Sequence, residues 1–302
     1  MGNKDSKLLR ASKAGDVDRV RALLDEGVNI HARHIKAWKT VLRLAVDGGH
    51  LEVVKCLLDH PKAEHLLTGD DARGAMEFAV ENNLEEIVAV FLARGYGPDH
   101  DYPNAFQALH LAAQQGLPSI AALLIDAGAS LDDTHNSWGS TPMHEAAGKG
   151  HSEVVALLAE AGADINAFDG YHQTPLMWAA AAGHLSTVVL LAVELGASFL
   201  CDVSTKSGYT PQDIKDTKGY TALHLAARAG HADVIRALLE VGAGFTIETR
   251  GVASPLDIAR DNGHQDCLAV LEAYQSGMCG CWLGLPLRTT WRFFSLRMKV
   301  VS

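Results

Sequence analysis

An alanine that returns every 33 or 34 residues constrains this 302-residue chain more than any other feature. It stands at Ala11, Ala45, Ala79, Ala112, Ala146, Ala179, Ala226 and Ala259, giving steps of 34, 34, 33, 34, 33, 47 and 33. Its neighbours recur with it: Gln107-Ala108-Leu109-His110-Leu111-Ala112-Ala113, Thr141-Pro142-Met143-His144-Glu145-Ala146-Ala147, Thr174-Pro175-Leu176-Met177-Trp178-Ala179-Ala180 and Thr221-Ala222-Leu223-His224-Leu225-Ala226-Ala227. A glycine follows four residues after the first alanine of each. Such a period belongs to chains that stack one small unit in a row.

Thr141 to Asn166 shows what one unit must be. Thr141 is placed to accept a hydrogen bond from an early helical N–H, and Pro142 follows where a missing donor costs nothing. Ala146 and Ala147 keep one face small enough for close approach, and Gly150 supplies the left-handed stop. His151 opens a second segment, in which Val154, Val155, Leu157 and Leu158 form an apolar stripe at helical spacing before Gly162 ends it. Neither helix is long enough to stand alone, so each pair must bury its apolar face against the pairs before and after. The predicted fold is all-α, a solenoid of helix-turn-helix units.

These residues resemble the ankyrin repeats, whose unit of about 33 residues carries Thr-Pro-Leu-His-x-Ala-Ala, Gly-His and Gly-Ala-Asp-x-Asn. Residues 105–166 and 219–243 carry most of that pattern. Val41-Leu42-Arg43, Ala75-Met76-Glu77 and Pro255-Leu256-Asp257 depart from it, and Asn82-Asn83 stands where glycine is expected. The resemblance implies about eight units over residues 7–274, linked by hairpin fingers, with a short segment 1–6 before them and a non-repeat tail 275–302 after them. The step of 47 between Ala179 and Ala226 is expected to be an extended finger or insertion at about 199–218 rather than a squeezed extra unit, since insertion into a surface loop costs little entropy.

The 15 histidines suggest catalysis or metal binding until they are placed in the period. His110, His144 and His224 fall in the Thr-Pro-Leu-His slot, and His50, His151, His184, His231 and His264 in the Gly-His slot. The resemblance implies that these imidazoles bond to neighbouring backbone. His144-Glu145 begins like a zinc-protease helix, but the second histidine needed at position 148 is absent. His264, Cys267, Cys279 and Cys281 lack the paired Cys-x-x-Cys spacing of a zinc site. No phosphate loop, dinucleotide fingerprint or Gly-x-Ser-x-Gly elbow occurs. A non-enzyme without cofactor, metal or small-molecule substrate is expected.

Specificity should then sit on the fingers, whose residues do not hold the stack together. The candidate partner-binding residues are Trp38, Tyr102, Phe106, Trp138, Phe168, Tyr171, His172, Tyr209 and Tyr220, because exposed aromatics anchor interfaces at low entropy cost. Each ring has an alternative, packing on the neighbouring finger. Trp178, on an inner helix, reads as semi-buried packing.

Charge narrows the partner. With 26 basic against 36 acidic residues, the net charge of −10 disfavours nucleic acid. The tail holds Arg288, Arg292, Arg297 and Lys299 without an acid, so residues 1–274 carry 22 basic against 36 acidic, a net of −14. Two readings stay open: a protein partner with a basic face or peptide is steered to it, or the surplus carboxylates only keep the solenoid soluble.

The ends carry their own signals. Met1-Gly2-Asn3-Lys4-Asp5-Ser6 fits the N-myristoylation pattern, so Gly2 is expected to be acylated, with Lys4, Lys7, Arg10 and Lys13 adding attraction to anionic lipid. The tail joins Cys279 and Cys281 to Trp282, Trp291, Phe293 and Phe294. Three readings stay open for it: a palmitoylated segment in peripheral membrane contact, a cover over the last repeat, or the truncated end of a longer protein. The expected function is intracellular protein–protein interaction by an adaptor or scaffold. The alternative is a recognition or targeting module of a ubiquitin ligase or another enzyme.

Overall fold

A computed structural model describes residues 3–34, 39–63, 66, 69–97, 108–134, 136–195, 220–243 and 253–276. Among them the predicted unit repeats eight times as a helix pair. The first four pairs are α1 (Asn3–Ala14) with α2 (Val17–Asp25), α3 (Val41–Asp47) with α4 (Leu51–Leu58), α5 (Gly69–Glu81) with α6 (Glu85–Ala93), and α7 (Ala108–Gln115) with α8 (Pro118–Asp126). The last four are α9 (Pro142–Lys149) with α10 (Ser152–Glu160), α11 (Pro175–Ala182) with α12 (Leu185–Val189), α13 (Ala222–Ala229) with α14 (Ala232–Glu240), and α15 (Pro255–Asp261) with α16 (Gln265–Gln275). A π-helical turn, Leu190–Leu195, extends α12. One isolated antiparallel bridge, Arg33 to Thr40, closes the first finger.

The helices lie in two rows. Each odd-numbered helix packs on the next odd-numbered one and each even-numbered helix on the next even-numbered one, while the two members of a pair pack on each other. One continuous core results. Ala45, Ala79, Ala112, Ala146, Ala179, Ala226 and Ala259 are each fully buried in it, which is why the period selects so small a side chain. Across the long step, α11 packs directly on α13 and α12 on α14. Residues 196–219, which hold the expected finger 199–218, lie outside the described residues.

Local chemistry sets the helix ends. Thr40, Thr174 and Ser254 each accept a hydrogen bond from the backbone N–H three residues on. Gly150, Gly183 and Gly230 end their helices in the left-handed region. In the third unit Asn83 takes that role at φ 53°, a conformation asparagine tolerates better than most residues.

The Gly-His histidines join units. Nε2 of His50, His151, His184 and His264 faces the carbonyl of Lys13, Gln114, Gly148 and Arg228 respectively, at 3.0–3.1 Å in the preceding unit. A carbonyl can only accept, so Nε2 carries the proton. Each ring lies over the preceding unit's glycine, at Gly15, Gly116, Gly150 and Gly230, and His231 lies likewise over Gly183.

Candidate functional site

Two successive fingers carry the candidate site. The first joins α8 to α9 and the second joins α10 to α11. Asn136 Oδ1 accepts hydrogen bonds from the backbone N–H groups of Trp138 and Ser140, both at 3.0 Å. Asp169 Oδ1 does the same for Tyr171 at 2.8 Å and Gln173 at 2.7 Å. Each finger tip is thus one turn wrapped round a polar side chain five residues before the threonine cap.

The fingers also bond to each other. Gly170 N–H donates to the Trp138 carbonyl at 2.9 Å, and Asp164 N–H donates to Asp132 Oδ1 at 3.0 Å. The approach is close enough that a Cβ at Gly170 would lie 2.8 Å from the Trp138 oxygen. From the helices, the buried His144 sends Nε2–H to the Gln173 carbonyl at 2.9 Å, leaving Nδ1 to accept from Thr141 N–H at 3.2 Å. His110 Nε2 lies between the carbonyls of Asp133 and Ser140, at 3.1 and 3.0 Å. The tips stand on fixed roots.

On this frame the aromatics face outward. Trp138 is 53% exposed and Tyr171 52%, and their rings are 6.1 Å apart, so they form two rungs at equivalent finger positions. Phe168 is 44% exposed, with the His172 ring 5.6 Å away. Trp138 thus packs on Tyr171 of the neighbouring finger and Phe168 on His172 of its own, and about half of each of Trp138, Tyr171 and Phe168 remains exposed. The half-buried Trp178 packs its edge on His144 at 5.5 Å and donates its indole N–H to Asp169 Oδ2 at 2.9 Å. Tyr220 differs. It is half-buried, with the His224 ring 5.8 Å away and the Arg228 guanidinium 5.6 Å from its ring centre. Trp38, Tyr102, Phe106, Tyr209, Gly2, Cys279 and Cys281 lie outside the described residues.

Sequence reasoning missed Asn136 and Asp169, the residues that shape the tips. Their shared offset from Thr141 and Thr174 was the available signal. It also missed the backbone of His172, which sits at φ 59° where the preceding finger has Gly139 at φ 62°. A left-handed histidine costs about 1 kcal/mol relative to glycine. His172→Gly should therefore raise unfolding free energy by about 1 kcal/mol in urea titrations, and a loss of stability would show that the imidazole's contacts outweigh its backbone cost.

Burial pushes the His110 and His144 imidazoles below the usual histidine range. The unfolded chain then takes up protons that the fold refuses. Above about pH 6.5 both forms are neutral and stability is flat; below it stability should fall by up to about 1.4 kcal/mol per pH unit for each histidine, until the folded groups titrate. Urea unfolding at about pH 7.5 and 5.5 checks this, and greater stability in acid would contradict it.

Among the described residues no group of three or more His, Cys, Asp or Glu side chains could hold a metal ion. No helix among them is long and apolar enough to cross a membrane. Cys56 and Cys267 are free thiols.

The sequence matches the family of ankyrin repeats over residues 8–104, 76–169, 109–202 and 191–277. The chain belongs to the ankyrin-repeat family, whose repeats serve as protein-interaction modules. It is 29% identical over 134 residues to the ankyrin repeat, SAM and basic leucine zipper domain-containing protein 1 of Dasypus novemcinctus, covering 42% of this chain and 27% of that protein. It is 29% identical over 150 residues to the mitochondrial disaggregase of Bos taurus, covering 47% of this chain and 21% of that protein. It is 31% identical over 100 residues to the NF-kappa-B inhibitor cactus of Drosophila melanogaster, covering 32% of this chain and 20% of that protein. The matches thus span between a fifth and little more than a quarter of these relatives' lengths.

Proposed function

We propose that this chain is a non-catalytic adaptor or scaffold that holds another protein on the finger face of its central units. The observation that carries this reading is the pair of half-open rings, Trp138 and Tyr171, fixed in register on cross-bonded fingers, with Phe168 beside them. Rigid aromatics lose little entropy when covered, and stable interfaces concentrate their energy in such anchors. The acidic balance of the stack favours a partner with a basic face or peptide. The test is affinity capture with the purified chain and with a Trp138→Ala, Phe168→Ala, Tyr171→Ala variant whose melting curve is unchanged. Loss of specific partners from the variant supports the adaptor; identical captures contradict it.

Gly2 acylation would place this adaptor at the cytoplasmic face of a membrane, with a second contact from Cys279 and Cys281 if the tail is palmitoylated. Fractionation of wild type against Gly2→Ala decides the Gly2 part, and equal solubility of the two would end it. The short share of each relative's length that is matched supports a second reading. In it the repeats are the recognition module of a larger machine, a ubiquitin ligase or another enzyme whose catalytic domain lies elsewhere.

A further inference from the structure

Where the chain leaves the stack bears on who occupies the aromatic fingers. In units four and five the outer helix ends at Asp126 and Glu160, and the chain passes from there into a finger. α16 holds the equivalent place in unit eight, stacked on α14, so its end at Ser276 lies at the edge from which the fingers of units four and five arise. Twenty-six residues follow, 277–302. Fully extended they span about 85 Å. Three to four steps between packed helices, at about 8–10 Å each, amount to roughly 25–40 Å, so the tail can reach Tyr171 and Trp138.

Charge and side-chain chemistry match along that path. Residues 108–195 contain nine acids against the single base Lys149, a net charge of −8. Asp126, Asp132, Glu160 and Asp164 are all exposed on the finger edge, beside the carboxyl ends of α8 and α10, which are negative in their own right. Residues 277–302 hold Arg288, Arg292, Arg297 and Lys299 with no acid, interleaved with Trp282, Trp291, Phe293 and Phe294. Arginine and aromatic side chains both stack on exposed rings.

We propose that the segment 277–302 docks back on the finger edge of its own chain, its cations against Asp132, Glu160 and Asp164 and its aromatics against the Trp138–Tyr171 rungs. The inference rests on the reading of this surface as a polypeptide-binding face and adds its regulation. Tethering gives the tail an effective concentration near millimolar, so an outside partner must displace it. Charge reversal in the tail therefore strengthens partner binding.

The test uses the full chain at high dilution with a zero-length carbodiimide, which joins a lysine amine to a carboxylate in contact with it. Lys299 should cross-link to Asp132, Glu160 or Asp164. The yield should fall at least about fivefold in Trp138→Ala, Tyr171→Ala and in salt near 0.5 M, where the screening length drops to a few ångströms. A tail variant, Trp291→Ala with Arg292→Glu, leaves the stack untouched and should lose the cross-links equally. Absent cross-links, or yields indifferent to these changes, overturn the proposal. Cross-links formed between isotopically light and heavy copies overturn it in favour of docking on a second copy. No cross-links together with a partner lost from the Trp138, Phe168, Tyr171 variant leaves the adaptor standing alone. Cross-links with no partner lost defeat the adaptor and keep the tail contact.

Discussion

Gly116→Ala should lower unfolding free energy by about 3 kcal/mol, although it adds a single methyl group. Two costs add. Gly116 sits at φ 69°, where an L side chain costs about 1 kcal/mol. Its Cβ would also clash with Nδ1 of His151, a ring held in place by its bond to the Gln114 carbonyl. Overpacking of this kind costs about 1–3 kcal/mol. Gly128→Ala supplies the comparison: φ is 87° and nothing lies within 4 Å of its Cβ, so only the backbone cost of about 1 kcal/mol should appear. Adding His151→Ala should make Gly116→Ala milder, and urea titrations of the four species give the coupling directly. Equal losses at Gly116 and Gly128 would show that the histidine does not lock the units.

Asp169→Ala should cost about 3 kcal/mol and abolish the aromatic surface with it. The Asp169 carboxylate is buried and accepts from three donors: the N–H groups of Tyr171 and Gln173, and the Trp178 indole. Deletion leaves all three without their acceptor and releases the turn that aims Tyr171. Asp169→Asn separates the parts. Its carbonyl can serve both backbone donors, as Asn136 does one finger earlier, but its NH2 would face the indole N–H. A smaller loss of about 1–2 kcal/mol is expected, with the turn intact. Urea titration measures stability, and backbone hydrogen exchange at Tyr171 and Gln173 measures the turn. Slow exchange in the alanine variant would show that the carboxylate does not shape the finger.

The stack was legible because each part of the repeat has a local cause. Thr-Pro starts, buried alanines and left-handed glycines act within one helix, so letters at fixed spacing suffice to read them. The fingers were legible only as places. Trp138, Phe168 and Tyr171 could be assigned to tips by alignment, but the contact of Trp138 with Tyr171 depends on the bond from Gly170 to the Trp138 carbonyl, which joins residues 32 apart. Trp178 was recognised as packing, while its indole bond to Asp169 crosses from a helix to a tip and leaves no local trace. Arg43 occupies a histidine slot, and sequence could mark it only as a departure. In the fold its Nε donates to Asp47 Oδ1 at 2.6 Å, and its guanidinium lies 5.0 Å from the Phe78 ring centre, a substitute supplied by the next unit.

Binding itself gives the most direct test of the finger surface. A captured partner should be titrated against wild type and the Trp138→Ala, Phe168→Ala, Tyr171→Ala variant at matched melting temperature. Truncating one hot-spot aromatic costs about 2 kcal/mol or more, so if even one of the three is an anchor the affinity loss is at least about 30-fold. An affinity within about threefold of wild type, in a variant that melts as wild type does, would contradict the assignment of recognition to these fingers.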